Sequence, residues 1–187
     1  DRQFYPDLGL SRAVFFDKEN FGEDKLVSGD PTLMVADDIA PDQLHARSIT
    51  DFINDFPLPE TDRAALIALH TAPKDYLAGK TIEEKNAHLE ATSYQNFLLK
   101  DVGLSAQAVK YFQSRTNDFM ALSLDAVAAS DAYSFGFPGF SAMNLEPISE
   151  EARAEMEEPY IYHFPDGNAS LARLLVRESQ AHDLEGG

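Results

Sequence analysis

The sequence predicts a mainly α fold of the α+β class, a helical bundle-like domain with a small antiparallel β hairpin or sheet formed near both chain ends. Three observations predict it: an aromatic, β-branched segment near the start, helical spacing of apolar residues from about 41 to 133, and a strand–turn–helix pattern near the end. The chain has 187 residues, 44% of them hydrophobic. This length and composition predict a single domain, 1–187, with its own core.

The first element is a predicted hairpin. Residues 12–17 (RAVFFD) are β-branched and aromatic, and the polar stretch 20–24 (NFGED) is typical of a turn. The second strand is predicted over 25–28, and Gly29-Asp30-Pro31 ends it.

The helical region begins at Pro41, which suits a first helical position, and continues through Ile49 and Phe52. A second helix is predicted from about 60 to 70. Thr81-Ile82-Glu83-Glu84 forms a capping box that opens a mostly polar, surface helix.

Two further helices are predicted in the middle of the chain. Ser93 caps one that ends near Gly103, and Ser105 opens what the pattern predicts to be the longest helix, with Val109 and Phe112 on its core face.

Residues 133–145 (YSFGFPGFSAMNL) fit neither a helical nor a strand period. They are apolar and aromatic but interrupted by glycine and proline, so we expect a loop that is buried or lines a pocket. An acidic helix is predicted over 149–158, a strand over 160–164, a turn over 165–168 and a helix from 169 to about 179.

Charge and composition exclude several classes of function. The 32 acidic against 15 basic residues give a formal net charge of −17, which argues against nucleic-acid binding and against an anionic membrane surface. The chain has no cysteine, so disulfides, zinc–thiolate sites and thiol nucleophiles are ruled out. The negative charge could steer cationic ligands or could simply maintain solubility.

Motifs for phosphate, dinucleotide, zinc or serine-hydrolase chemistry are missing from the sequence, and the five histidines show no metal-ligand spacing. His45, His70 and His88 are most simply surface or helix-end residues. His163, in the apolar strand, is either a hydrogen-bonded structural histidine or a site residue. The neighbouring acidic pairs are interpreted as solvated faces. The turn at 165–168, with Gly167 and the N-cap candidate Asn168, is either an ordinary turn or a helix start that holds an anion.

Three segments carry a resemblance to a known family. The segment 160–177 (YIYHFPDGNASLARLLVR) is the most specific, and 4–22 (FYPDLGLSRAVFFDKENFG) and 136–140 (GFPGF) are weaker alone. Together they resemble bacterial flavoproteins described as spermidine-dehydrogenase-like or NAD(P)/FAD-binding, within the flavin amine-oxidase superfamily. We extend this resemblance across the whole chain.

The resemblance implies that this chain is the inserted, mostly helical substrate domain of a larger FAD-dependent amine oxidoreductase. The upstream G-x-G-x-x-G unit and the downstream FAD segment of such proteins are not in this sequence. We therefore expect FAD in the full-length parent, none held by this chain alone, and no activity of the chain by itself. The chemistry implied for the parent is hydride transfer from a C–N carbon to flavin, followed by hydrolysis of the imine.

The resemblance also suggests candidate residues and partners. The expected apolar wall of the substrate site is Phe135, Phe137, Pro138 and Phe140, with Asp131 as the carboxylate that holds a cationic amine. Asp166, Gly167 and Asn168 match the turn that leads back to the FAD domain, so the resemblance implies a cofactor-binding or positioning role for them.

The implied partners are a small amine substrate and the FAD-binding segments of the same parent chain. No metal, nucleic acid or membrane is expected. Many relatives carry twin-arginine export signals, which implies a periplasmic parent. Because the sequence starts at Asp1 within apparently structured residues, we expect a piece of a longer protein. The alternative is a free-standing acidic helical module that binds a protein partner or a small apolar ligand through the 133–145 loop.

Overall fold

The computed structural model describes residues 4–32, 44–147 and 167–185, together with positions 150 and 154. About half of the chain is helical, and one two-stranded antiparallel sheet lies near the N-terminus. The predicted mainly α class is confirmed. The predicted strand 160–164 and most of the predicted acidic helix 149–158 lie outside the described residues.

The hairpin forms where the sequence predicts it. After the short helix α1 (Phe4–Asp7), strand β1 (Ala13–Phe16) pairs with β2 (Lys25–Ser28), and Phe15 lies opposite Leu26. The connection contains one helical turn, α2 (Lys18–Phe21), which begins at the N-cap Asp17. Alternation along the strands turns Phe16 and Val27 into the core and leaves Phe15 and Leu26 exposed.

The next helices are α3 (Ile49–Asn54), α4 (Glu60–Thr71) and α5 (Ile82–Ala91). Helix α3 begins at the N-cap Ser48, and Pro41, where the sequence predicted a start, lies outside the described residues. The capping box of α5 is confirmed, because Thr81 and Glu84 exchange side-chain-to-backbone hydrogen bonds. Helix α5 also buries Lys85 and Leu89, although its composition predicted a surface helix.

Ser93 caps the short helix α6 (Tyr94–Asn96), which continues into a π-helix (Phe97–Val102) and ends at Gly103 in the left-handed conformation. The predicted cap and end of this helix are confirmed. The wider π-helical turn is rare, and such turns are frequent at functional sites.

The prediction of one long helix after Ser105 was wrong. The chain forms α7 (Ala106–Val109), a 3₁₀ turn (Lys110–Phe112) and α8 (Asn117–Met120). Ser and Thr side chains compete for backbone hydrogen bonds, and the Thr116 hydroxyl donates to the Leu122 carbonyl at the break.

Helix α9 (Ala129–Ser134) takes in the first two residues of the predicted loop, and α10 (Ala169–Glu185) runs beyond the predicted end near Ser179. The core is rich in aromatic rings that meet edge to face or stacked. Its largest fully buried side chains are Tyr94, Phe16, Phe52, Phe56, Phe97, Phe112, Ile53, Leu66, Leu89, Leu98, Leu124 and Met143.

Candidate functional site

The candidate site centres on residues 135–145, here called the aromatic loop, which follow α9. Phe140 is its buried anchor. Its side chain is 4% exposed, and its ring stacks on Phe97 of the π-helix with 4.9 Å between ring centres. Tyr133 also meets Phe140 edge to face. Phe140 therefore packs as core, and contact between its ring and a substrate stays a prediction.

Tyr94 fixes the middle of the aromatic loop. Its hydroxyl donates to the Pro138 carbonyl at 2.9 Å, and its ring meets the half-buried Phe137 with ring centres 5.4 Å apart. Burial raises the pKa of Tyr94, so the hydroxyl keeps its proton and remains a donor. Phe137 and Pro138, two predicted wall residues, are thus held against one buried ring.

Asp131 and Phe135, two other predicted site residues, lie one helical turn apart at the end of α9. The backbone N–H of Phe135 donates to the Asp131 carbonyl at 3.0 Å, and side chains spaced four residues apart are neighbours on one helix face. Asp131 is exposed and Phe135 is half-buried. An exposed acidic residue therefore lies one helical turn before a half-buried aromatic residue.

Gly139 allows the aromatic loop to approach the core closely. Its φ is +111°, and a Cβ at this position would lie 3.1 Å from Phe97 Cε1 and 3.2 Å from Leu69 Cδ1. Glycine suits this position because it adopts a positive φ readily and has no Cβ that would crowd Phe97 and Leu69. The glycine of the GFPGF segment is needed for packing, independently of any ligand.

Lys85 of α5 contacts the far end of the aromatic loop. Its Nζ donates to the Met143 carbonyl at 2.8 Å and lies 2.6 Å from Asp75 Oδ2. The hydrogen bond from Lys85 lowers the pKa of Asp75, which keeps the carboxylate ionised as a partner. A second contact of α5 joins His88 to Asp101 of the π-helix at 2.9 Å.

A buried polar cluster lies around Arg115. Its guanidinium donates to Asp30 at 2.6 Å and to the Thr32 hydroxyl at 2.8 Å, and it stacks 4.6 Å above the Tyr111 ring. Burial alone would raise the pKa of Asp30, but the Arg115 charge and hydrogen bonds from Thr32 lower it below its ordinary value. The Thr32 backbone N–H and hydroxyl complete the carboxylate's partners. This cluster joins the hairpin to the α7–α8 connection.

His70, at the end of α4, interacts electrostatically with the charges of Arg115 and Asp30 in this cluster. Burial lowers the pKa of His70 to about 4, with a further contribution from the Arg115 charge. Its Nε2 is buried, and no hydrogen-bond partner for it lies in the part of the chain that the structure describes. The prediction of a helix-end histidine is therefore right in position, but His70 is half-buried and its Nε2 is shielded from solvent.

The residues expected near the cofactor are only partly described. His163 and Asp166 lie outside the described residues. Gly167, with φ +78°, and Asn168 are exposed at the start of α10, and a Cβ on Gly167 would meet nothing within 4 Å. These two residues do not form a closed cradle for a flavin by themselves.

Among the residues that the structure describes, no group of three or more potential metal ligands occurs, and no helix has the length and apolar character to cross a membrane.

No protein-family model matches the chain, and no curated protein matches it. The functional conclusion therefore depends on the residues themselves and on the resemblance of the three segments.

Sequence reasoning missed Lys85, Tyr94 and the Asp30–Arg115 pair. One signal was present for Lys85: it precedes Leu89 by four residues, so the two share a helix face, and a basic residue on a buried face needs a partner. No local signal pairs Asp30 with Arg115, because 85 residues separate them.

Proposed function

We propose that this chain is the substrate-binding domain of an FAD-dependent amine oxidoreductase that acts on polyamines similar to spermidine. The observation that carries the proposal is the solvent-facing Asp131 one helical turn before Phe135, at the start of an aromatic loop fixed to the core. A carboxylate beside an aromatic ring suits a protonated amine, because the charge meets the carboxylate and the ring face attracts the cation.

The rigidity of the aromatic loop supports this role. Tyr94 holds Pro138, Phe97 stacks on Phe140, and Lys85 holds Met143. A wall whose shape is set before the ligand arrives loses little conformational entropy on binding. Phe135 and Phe137 are the half-buried rings that such a wall offers to a methylene chain.

The net charge of −17 also favours a cationic ligand. A negative potential over the surface raises the local concentration of polycations and their association rate, and salt weakens both effects.

Exposed apolar side chains support a position within a larger protein. Phe15 and Leu26, a cross-strand pair, are 60% and 63% exposed, and α10 exposes Leu171, Leu174 and Leu175. Grouped apolar side chains of this kind are typical of surfaces that pack against further polypeptide. We assign the binding of the amine to this chain.

The visible absorption spectrum of the full-length gene product, before and after anaerobic addition of spermidine, tests the proposal. Flavin bands that bleach would support an amine dehydrogenase. Flavin bands that persist with every polyamine tried would contradict the substrate. A colourless, folded product would contradict the family and favour the free-standing acidic module.

A further inference from the structure

We propose that Lys85 is a positioning residue that holds the aromatic loop in its binding geometry through the Met143 carbonyl. Lys85 is 6% exposed, and in the part of the chain that the structure describes it makes polar contacts with Met143, which lies 58 residues further along the chain, and with Asp75. It thus joins α5, the connection before α5 and the end of the aromatic loop.

Burial of an ammonium group costs free energy, because the charge loses its hydration. Lysine is rarely fully buried, and the desolvation of both charges offsets much of the attraction within a buried ion pair. A methionine would fill a similar volume without this cost. What lysine adds is a directed hydrogen bond to a backbone carbonyl that a methionine cannot make.

The carbonyl that Lys85 contacts belongs to the turn that carries Phe140. The Met143 N–H donates to the Phe140 carbonyl at 3.0 Å, so Phe140 and Met143 close one turn. Lys85 holds one end of that turn through its hydrogen bond to the Met143 carbonyl. The other end is held by the stack of the Phe140 ring on Phe97. These two contacts of different chemistry act on the turn together with the fully buried Met143 side chain.

Asp75 makes this arrangement possible. Its carboxylate balances the Lys85 charge and also accepts the Leu77 N–H at 3.0 Å. The Asp75 side chain is 26% exposed, so water can solvate it when Lys85 is removed. A Lys85→Met variant is therefore expected to fold, since it leaves no fully buried unpaired charge.

The two ends of the aromatic loop are held independently. Tyr94 and Gly139 fix the first half. The second half is held by Lys85, by the fully buried Met143 side chain and by the Tyr133 hydroxyl, which donates to the Glu146 carbonyl at 2.8 Å. Loss of Lys85 should therefore loosen residues 141–146 locally and leave the contacts of Pro138 intact. A local effect of this kind separates a positioning role from a general contribution to the core.

Hydrogen exchange on the full chain, read by mass spectrometry, tests this inference. We expect Lys85→Met to speed exchange of amides in 141–146 by about tenfold, the effect of losing one buried hydrogen bond, with the amides of α4 unchanged. Lys85→Arg should restore part of the protection, because a guanidinium also donates to a carbonyl. Lys80→Met, an exposed lysine just before α5, is the matched control and should change nothing.

If Lys85→Met accelerated amide exchange equally in α4 and in 141–146, Lys85 would have a merely structural role and the proposal would be overturned. Unchanged exchange in 141–146 would also overturn it. If Lys85→Met did not fold, the double variant Lys85→Met with Asp75→Asn, which removes both charges as well as the donor to Met143, would replace it, with the same local acceleration expected and the same two results overturning the proposal.

The link to amine binding rests on the proposed function. In the full-length flavoprotein, Lys85→Met should raise the Michaelis constant for spermidine severalfold and leave kcat within about twofold, because the flavin is untouched. Local release of 141–146 in a protein without amine turnover would contradict the proposed function alone. Turnover with no local release would contradict the role of Lys85 alone.

Discussion

Two buried basic side chains, Arg115 and Lys85, hold two regions of this molecule in different ways. Arg115 makes two side-chain hydrogen bonds and a stacking contact, all within a cluster that joins the hairpin to the helices. Lys85 makes one ion pair and one contact with a backbone carbonyl at the end of the aromatic loop. The first arrangement stabilises the core, and the second fixes one end of the aromatic loop.

The different shapes of the Arg115 guanidinium and the Lys85 ammonium explain why the two side chains make different contacts. Arginine presents donors in a rigid fork and stacks on an aromatic face, so Arg115 donates to Asp30 and Thr32 while it packs over the Tyr111 ring. The lysine ammonium acts as a point donor on a flexible stem and suits a single carbonyl. A substitution of Arg115 should therefore destabilise the core as a whole, whereas a substitution of Lys85 should affect mainly the aromatic loop.

The largest effect is expected from Arg115→Met. It leaves the Asp30 carboxylate, whose side chain is 7% exposed, without its charge partner. We expect the free energy of unfolding to fall by about 3–5 kcal/mol, with faster exchange across the hairpin and α4. Urea denaturation followed by circular dichroism measures this change. Lys110→Met, at an exposed neighbouring position, is the control, and an equal loss in both variants would contradict the role of the cluster.

The pH dependence of stability should carry the signature of His70. Its pKa is about 4 in the folded chain against an ordinary 6.5, so the unfolded chain binds the proton more readily. This group's contribution is constant above about pH 7 and decreases as the pH falls from 6.5 toward 4, by up to about 3 kcal/mol.

The measurement that isolates His70 is the difference in unfolding free energy between the parent chain and His70→Gln from pH 8 to pH 4. The parent should lose stability relative to the variant below pH 6.5. His45→Asn changes an exposed histidine and should leave the pH profile as it is. Parallel profiles for the parent chain and His70→Gln would contradict the burial of His70.

A smaller effect is expected from Gly139→Ala in the aromatic loop. The new Cβ would crowd Phe97 and Leu69, and the positive φ would be strained, at a total cost of about 1–3 kcal/mol. Gly79→Ala has a similar φ of +89° but open space around it, so it isolates the strain from the crowding. Thermal unfolding of both variants gives the difference, and equal losses would show that the close approach does not matter.

The sequence allowed the hairpin, α4, the capping box of α5 and the end at Gly103 to be predicted, because each depends on residues a few positions apart. The burial of Lys85 escaped prediction because its carbonyl partner, Met143, lies 58 residues further along the chain. The break after α7 escaped prediction because helical spacing of apolar residues does not report a side chain such as Thr116, which donates to the Leu122 carbonyl. Asp131 and the aromatic loop were singled out from composition and resemblance. The sequence does not indicate which aromatic rings of the loop face the core, because this depends on tertiary packing. Phe140 is an example, since its ring stacks on Phe97.

The most direct test of the account is the Michaelis constant for spermidine of Asp131→Asn in the full-length protein, compared with Glu90→Gln. Both changes remove one exposed negative charge, so general steering falls equally. The account predicts that Asp131→Asn alone raises the constant about tenfold with kcat unchanged, the effect of losing roughly 1.4 kcal/mol of binding. Equal constants for the two variants would contradict the assignment of Asp131 and the aromatic loop as the amine site.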